Sequence, residues 1–148
     1  EEEYLLGVAY NNKKDYNKAI KWLRKAAEKG HVDAHYLIGE HLENNFCISN
    51  NTHMALRWWL KAAEKGHADA QYQVAKCYSL GDGVKKDNTE AKKWLRKAAE
   101  NGIAEAQYYL SVLYYDCPEE ERNITEAMKW LHKAAEQGFT EAQYDLAG

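Results

Sequence analysis

A 36-residue period runs through most of this chain and limits its possible folds more than any other feature. Trp22, Trp58, Trp94 and Trp130 stand 36 apart, as do Gly30, Gly66, Gly102 and Gly138. The same spacing relates Ala19, Ala55, Ala91 and Ala127, and the pairs Ala26-Ala27, Ala62-Ala63, Ala98-Ala99 and Ala134-Ala135. Tyr36, Tyr72, Tyr108 and Tyr144 form a further register, each two residues after an alanine. Registers that recur together mark an array of one supersecondary unit. Such a unit buries its apolar face only by stacking on its neighbours.

The unit reads as a helical hairpin. Asp87-Asn88-Thr89-Glu90 has the form of a capping box, with an N-cap Asp and a Glu placed to return a bond to the cap amide. Asp15, Asn51 and Asn123 occupy the equivalent cap. The stripe Ala91, Trp94, Leu95, Ala98 and Ala99 has helical spacing and ends at Gly102, which suits a left-handed C-terminal residue. A second stripe, Ala70, Val74, Ala75 and Tyr78, stops before Gly81-Asp82-Gly83, where two glycines allow positive φ.

These signals place A helices near 1–11, 32–44, 68–80, 104–115 and 140–148, and B helices near 15–29, 51–65, 88–101 and 123–137. The expected fold is all-α: a right-handed α/α superhelix, or solenoid, of stacked antiparallel helix pairs. It forms one domain over 1–148, with repeats at 1–30, 31–66, 67–102 and 103–138 and a partial repeat at 139–148. The first unit has the shorter inter-helix loop, Tyr10 and Trp22 being closer in sequence than Tyr78 and Trp94. The repeated tryptophans share their face with Leu23, Leu95 and Leu131, so they are expected to fill the space between repeats. Truncating one is expected to cost about 3–5 kcal/mol.

Residues 68–102 read A-D-A-Q-Y-Q-V-A-K-C-Y-S-L-G-D-G-V-K-K-D-N-T-E-A-K-K-W-L-R-K-A-A-E-N-G, and this segment resembles the Sel1-like repeat family, a branch of the tetratricopeptide-type helical repeats. The resemblance covers the whole chain. It departs from the pattern at Asn45-Phe46-Cys47-Ile48, at Cys117-Pro118-Glu119-Glu120 and in the short first loop. It implies an adaptor or scaffold, a role that family members fill in eukaryotic membrane-associated complexes and in bacterial signalling, secretion and host interaction. Some family members carry a disulfide in every repeat. Here Cys47, Cys77 and Cys117 fall at different positions of their units, so that framework does not apply.

Composition narrows the function classes. A net charge of -3 and a pI near 6.1 give no global electrostatic case for nucleic acid. No run of about 18 apolar residues exists, so membrane insertion is not expected. Helical pattern is already running at Glu1 and again at Gly148, so the chain is expected to be part of a longer one. Three cysteines without a C-x-x-C spacing favour a reducing compartment and speak against zinc.

His31 and His35 have the spacing of two ligands on one helix face, but no third ligand accompanies them and no H-E-x-x-H is present. His41, His53 and His132 are isolated. Ser79 and Ser111 lie within A helices, and Gly81-Asp82-Gly83 is too short for a phosphate-cradling loop. Sequons at Asn50 and Asn123 matter only in a secretory compartment. No catalytic residue, metal or cofactor is expected, and the chain reads as a non-enzyme.

Function is therefore sought on the surface. In this architecture the A helices line the concave side. Opposite their buried stripe stand Asp33, Tyr36, Glu40 and Glu43, then Asp69, Tyr72, Lys76 and Ser79, then Glu105, Tyr108, Val112 and Tyr115. Tyr36, Tyr72 and Tyr108 form a ladder suited to recognition, although tyrosine in every unit also suits packing between A helices. The residues that change from unit to unit, Glu40, Glu43, Lys76, Val112 and Tyr115, are the stronger contact candidates.

The outer face of the B helices carries Lys21, Arg57, Lys93 and Lys129 in one row and Lys25, Lys61, Lys97 and Lys133 in another. Glu28, Glu64, Glu100 and Glu136 run alongside, so this reads as a solvated, ion-paired face. The expected function is a protein-protein interaction scaffold that holds a partner peptide or protein on the concave face, with a preference for basic segments set by Asp33, Asp69 and Glu105 together with Glu40 and Glu43. The alternatives are a nucleic-acid binder using the basic B rows and a purely structural segment of a larger protein.

Overall fold

Capping chemistry sets the helix boundaries. The structure is a computed structural model, and it describes residues 1–44, 51–116 and 123–147. Within them the A helices are α1 (Glu2–Asn12), α3 (Val32–Asn44), α5 (Ala68–Leu80), α7 (Ala104–Tyr115) and α9 (Thr140–Ala147). The B helices are α2 (Tyr16–Glu28), α4 (Asn51–Glu64), α6 (Asn88–Glu100) and α8 (Ile124–Glu136). The segments Asn45–Ile48 and Cys117–Glu120, where the family pattern is broken, lie outside the described residues.

Asp15, Asp87 and Asn123 cap α2, α6 and α8, each accepting a backbone N–H of the first turn with its side chain. The reciprocal half of the capping box does not form. The Asp87 and Asn123 amides donate instead to the Tyr78 and Tyr114 carbonyls at the end of the preceding A helix, at 2.9 and 3.3 Å. Glu90 and Glu126 are thereby released to pair with Lys93 and Lys129 one turn on. Asn51 also departs from expectation: it is the first residue of α4 and is buried, not a cap outside the helix.

The B helices end as their glycines require. Gly30, Gly66, Gly102 and Gly138 have φ between +86° and +93°. At the third of them the Gly102 amide donates to the Ala99 carbonyl and the Ile103 amide to the Ala98 carbonyl, both at 3.1 Å, the paired bonds that turn the chain into the next helix.

Each helix packs on the ones before and after it, giving a solenoid of antiparallel pairs. The core is strung along the stack as three clusters. One centres on Leu23 and Ile38, the next on Trp59 and Val74, and the last on Leu95, Leu110 and Trp130. Alanines at 19, 55, 91 and 127 are buried where helices approach closely.

The structure corrects the role of three of the four repeated tryptophans. Trp22, Trp58 and Trp94 are half-buried, and Trp130 is the buried member. Each ring lies under the lysine one turn on, Lys25, Lys61, Lys97 and Lys133, at 4.3 to 4.7 Å. Those lysines form the second basic row, so this row rests on aromatic faces and does not form an ion-paired surface. The next position fills the junction: Leu23, Trp59 and Leu95. Trp94 does reach two adjacent clusters, as an inter-repeat residue should.

A polar register escaped the sequence reading. Gln71, Gln107 and Gln143 donate to the carbonyls of Ala63, Ala99 and Ala135 at 3.0 to 3.1 Å, tying each A helix to the end of the preceding B helix. Gln71 and Gln107 are buried and in turn accept from Asn101 and Gln137. His35 occupies the equivalent place in its unit. It is buried, with Nδ1 2.9 Å from the His31 carbonyl, which gives this pair of histidines a structural use.

Candidate functional site

Charge is sorted between the two sets of helices. The five A helices contain nine carboxylates and one lysine, Lys76. The four B helices contain twelve Lys or Arg and six glutamates. A net charge near neutrality thus conceals an acidic A side and a basic B side.

The tyrosine ladder on the A side is partly committed to packing. Tyr36 stacks on His67 at 4.5 Å, Tyr4 on His31 at 4.0 Å, and Tyr108 lies 5.2 Å from Phe139. In each case the tyrosine of one A helix meets the residue just before or at the start of the next. His67 is held for this contact: its Nδ1 accepts from the Ala70 amide at 3.1 Å, which leaves the hydrogen on Nε2, 3.5 Å from Asp33. Tyr108 also donates to Asp145 at 3.1 Å. Tyr144 is exposed.

Two patches stand out among the residues singled out in the sequence. On α3, Glu40 accepts from Gln73 of α5 at 3.2 Å, and burial together with the Glu40 carboxylate pushes the Tyr36 hydroxyl well above the ordinary phenol range. Glu43 is an exposed residue whose carboxyl is nonetheless raised by partial burial, opposed by Lys76 and reinforced by Glu40 and Asp82. Lys76 lies 5.3 Å from the centre of the Tyr72 ring.

The second patch is an open cavity of about 300 Å³ between α5 and α7. Tyr72, Lys76 and Val112 line it together with Leu80, Tyr109 and Leu113, over a floor that includes Ala75 and Leu95. Burial pushes the Tyr72 hydroxyl up to about 12, with Tyr109 and Glu105 adding to the shift. Leu80, Tyr109 and Leu113 are 74%, 49% and 40% exposed, large apolar groups gathered on one groove.

The structure brings Tyr72, Lys76 and Val112 together in that cavity, and Tyr36, Glu40 and Glu43 together on α3. Asp69, Glu105 and Tyr115 are exposed on the same set of helices, and Tyr108 is half-buried by its contacts. Sequence reasoning missed Leu80, Tyr109 and Leu113. The available signal was replacement across the period, since Asn44, Gln73 and Cys77 stand 36 residues before them. A second cavity of about 350 Å³, between α1 and α3, is lined mainly by polar groups such as Asn11, Glu40 and Asn44. Among the described residues no cluster of three metal-ligating side chains occurs, and no helix is long and apolar enough to cross a membrane.

With this geometry established, the family model described as the Sel1 repeat matches four times, at residues 3–31, 32–67, 68–103 and 104–139. The chain belongs to the Sel1 repeat family. Its fold agrees with the crystal structure of c5321, a protective antigen present in uropathogenic Escherichia coli strains and displaying an SLR fold. The TM-score is 0.89 at 30% identity, over 98% of this chain and 32% of that one. It agrees as well with a Sel1 repeat protein from Oxalobacter formigenes, at TM-score 0.87 and 34% identity, over 96% of this chain and 58% of that one. The chain therefore spans about a third and somewhat over half of these two proteins. Helicobacter pylori cysteine rich protein B shares the fold at TM-score 0.63 and 24% identity, over 83% of this chain and 93% of that one. No curated protein sequence matches. Sel1-repeat proteins are in general non-enzymatic scaffolds for protein interaction.

Proposed function

We propose that this chain is a protein-interaction module that holds a partner segment against its A helices, and that the segment it prefers is basic. The sorting of charge carries this reading: nine carboxylates and one lysine on the A helices produce a field that attracts and orients a cationic partner. The repeated residues are occupied in holding the stack, whereas Glu40, Glu43, Lys76 and Val112 differ from unit to unit and lie at the surface of that side. The B side supports a partner less well, because its second lysine row already rests on tryptophan rings.

The test is a titration, at matched salt, of a partner captured from the native source and then purified. Reversing Glu40 and Glu43 to lysine is expected to weaken binding by about 1 kcal/mol or more while helical circular dichroism and melting stay nearly unchanged. If binding survives this change and is abolished by reversing Lys93 and Lys97, the surface has been assigned wrongly. A steep fall of nucleic-acid affinity with salt, together with that result, would replace the reading with nucleic-acid binding.

A further inference from the structure

We infer that the space between α5 and α7 is an anchor pocket for one bulky apolar side chain of the partner segment, which carries Lys or Arg several residues away, over Glu40 and Glu43. This rests on the function proposed above and specifies its partner: a peptide with an apolar anchor and a basic flank.

The pocket exists because one repeat departs from another. At the junction of α3 and α5 the filling residue is Trp59, fully buried at 0% exposure against Gly39. One period later the corresponding residues are Leu95 and Ala75, and the smaller leucine leaves the cavity of about 300 Å³ open beside it. The rim changes with the floor. Asn44, Gln73 and Lys76 around the filled junction become Leu80, Tyr109 and Val112 around the open one. Stacking does not require these substitutions, since the adjacent junction forms without them. Together they make an apolar recess in a surface of otherwise solvated helices.

The charge around it selects the flank. Glu40 and Glu43 stand on α3, one A helix away, and among the described residues Lys76 is the one lysine of the A helices. Packed helices lie about 10 Å apart. An extended chain advances about 3.3 Å per residue. A side chain seated between α5 and α7 therefore places a basic residue over α3 when the two are about three to five residues apart. Lys76 stands between the two sites and opposes the cationic flank, so Lys76→Met is expected to tighten binding.

An array of synthetic Gly/Ser peptides tests this, each carrying one Trp, Phe or Leu and a Lys-Arg pair at every offset from one to seven residues, probed with the fluorescently labelled chain. Signal is expected to peak at offsets of three to five. It should fall at least tenfold when the anchor becomes Ser or the basic pair becomes Glu-Glu. The double variant Ala75→Gly, Leu95→Trp copies the filled junction and should lose the same signal. Tyr109→Gln with Val112→Lys, which copies the polar rim, should do so without touching the core.

Equal signal from peptides lacking the anchor, or binding unchanged in the rim variant, overturns the pocket, as does the absence of any selected peptide. If binding then still depends on Glu40 and Glu43, the acidic-face reading stands and only the anchor is wrong. If it depends on Lys93 and Lys97 instead, both fall.

Discussion

Gly39 and Trp59 are a matched pair, and replacing the glycine with alanine tests whether the pairing holds the α3–α5 junction together. A Cβ at Gly39 would lie 2.4 Å from Trp59 Nε1, 2.5 Å from Cδ1 and 2.9 Å from Cε2. Carbon contacts are ordinarily about 3.5–4.0 Å, so the overlap is roughly 1 Å. Trp59 has no exposed surface through which to retreat, and overpacking of this kind costs about 1–3 kcal/mol. Removing glycine from a helix interior returns about 0.5–1 kcal/mol. The net expectation is a loss of up to about 2.5 kcal/mol, where helix propensity alone gives a gain.

Trp59→Leu alone should lose about 2–3 kcal/mol from lost burial and the cavity it leaves. The double variant reproduces the Ala75 and Leu95 pairing of the next junction, where the methyl is accommodated. Its loss should fall short of the sum of the single losses by about 1 kcal/mol or more. Urea unfolding followed by far-UV circular dichroism measures all four corners of the cycle. A Gly39→Ala variant more stable than the parent, or an additive cycle, refutes the argument.

Two further outcomes follow from burial and charge. Trp59→Ala should cost about 3–5 kcal/mol and Trp94→Ala clearly less, because Trp94 is only half-buried beneath Lys97; equal losses in urea midpoint would show that the shared register is the true core. Partial burial raises the Glu43 carboxyl, so the folded chain holds that proton more firmly than the unfolded one, and stability falls as pH rises from the ordinary value of 4.5 through the raised one. Glu43→Gln should therefore melt slightly above the parent at neutral pH, by about 1 °C because the residue is exposed, and match it at more acid pH. A variant that melts lower at neutral pH would mean that attraction to Lys76 outweighs burial.

The period made the architecture legible because a stack must solve the same packing problem in every unit. Glycines that turn the chain, alanines that admit a close neighbour and carboxylates that cap a helix are needed wherever the unit recurs, so their spacing reveals both helices and their ends. The same logic misled where a register is only partly structural. Tryptophan in every unit suggested the core filler, and Trp130 is one, yet in the first three units the ring lies beside the core under a lysine, and the filler is the following residue, which varies as Leu23, Trp59 and Leu95. Glutamine every 36 residues was equally visible, but its task, bonding a carbonyl at the end of the preceding B helix, depends on the approach angle of two helices and has no linear signature.

The candidate site has the opposite character. Residues that bind one particular partner have no reason to repeat, so they appear as breaks in the period. A break becomes interpretable only once the residue that normally fills the place is known. Tyr109 in place of Gln73, and Leu113 in place of Cys77, look like neutral drift in sequence. They gain meaning beside Leu95, because a smaller filler and an apolar rim change the same cavity from two sides. On the function proposed for this chain, structure is thus carried by what recurs, and recognition by departures that coincide in space though not in sequence.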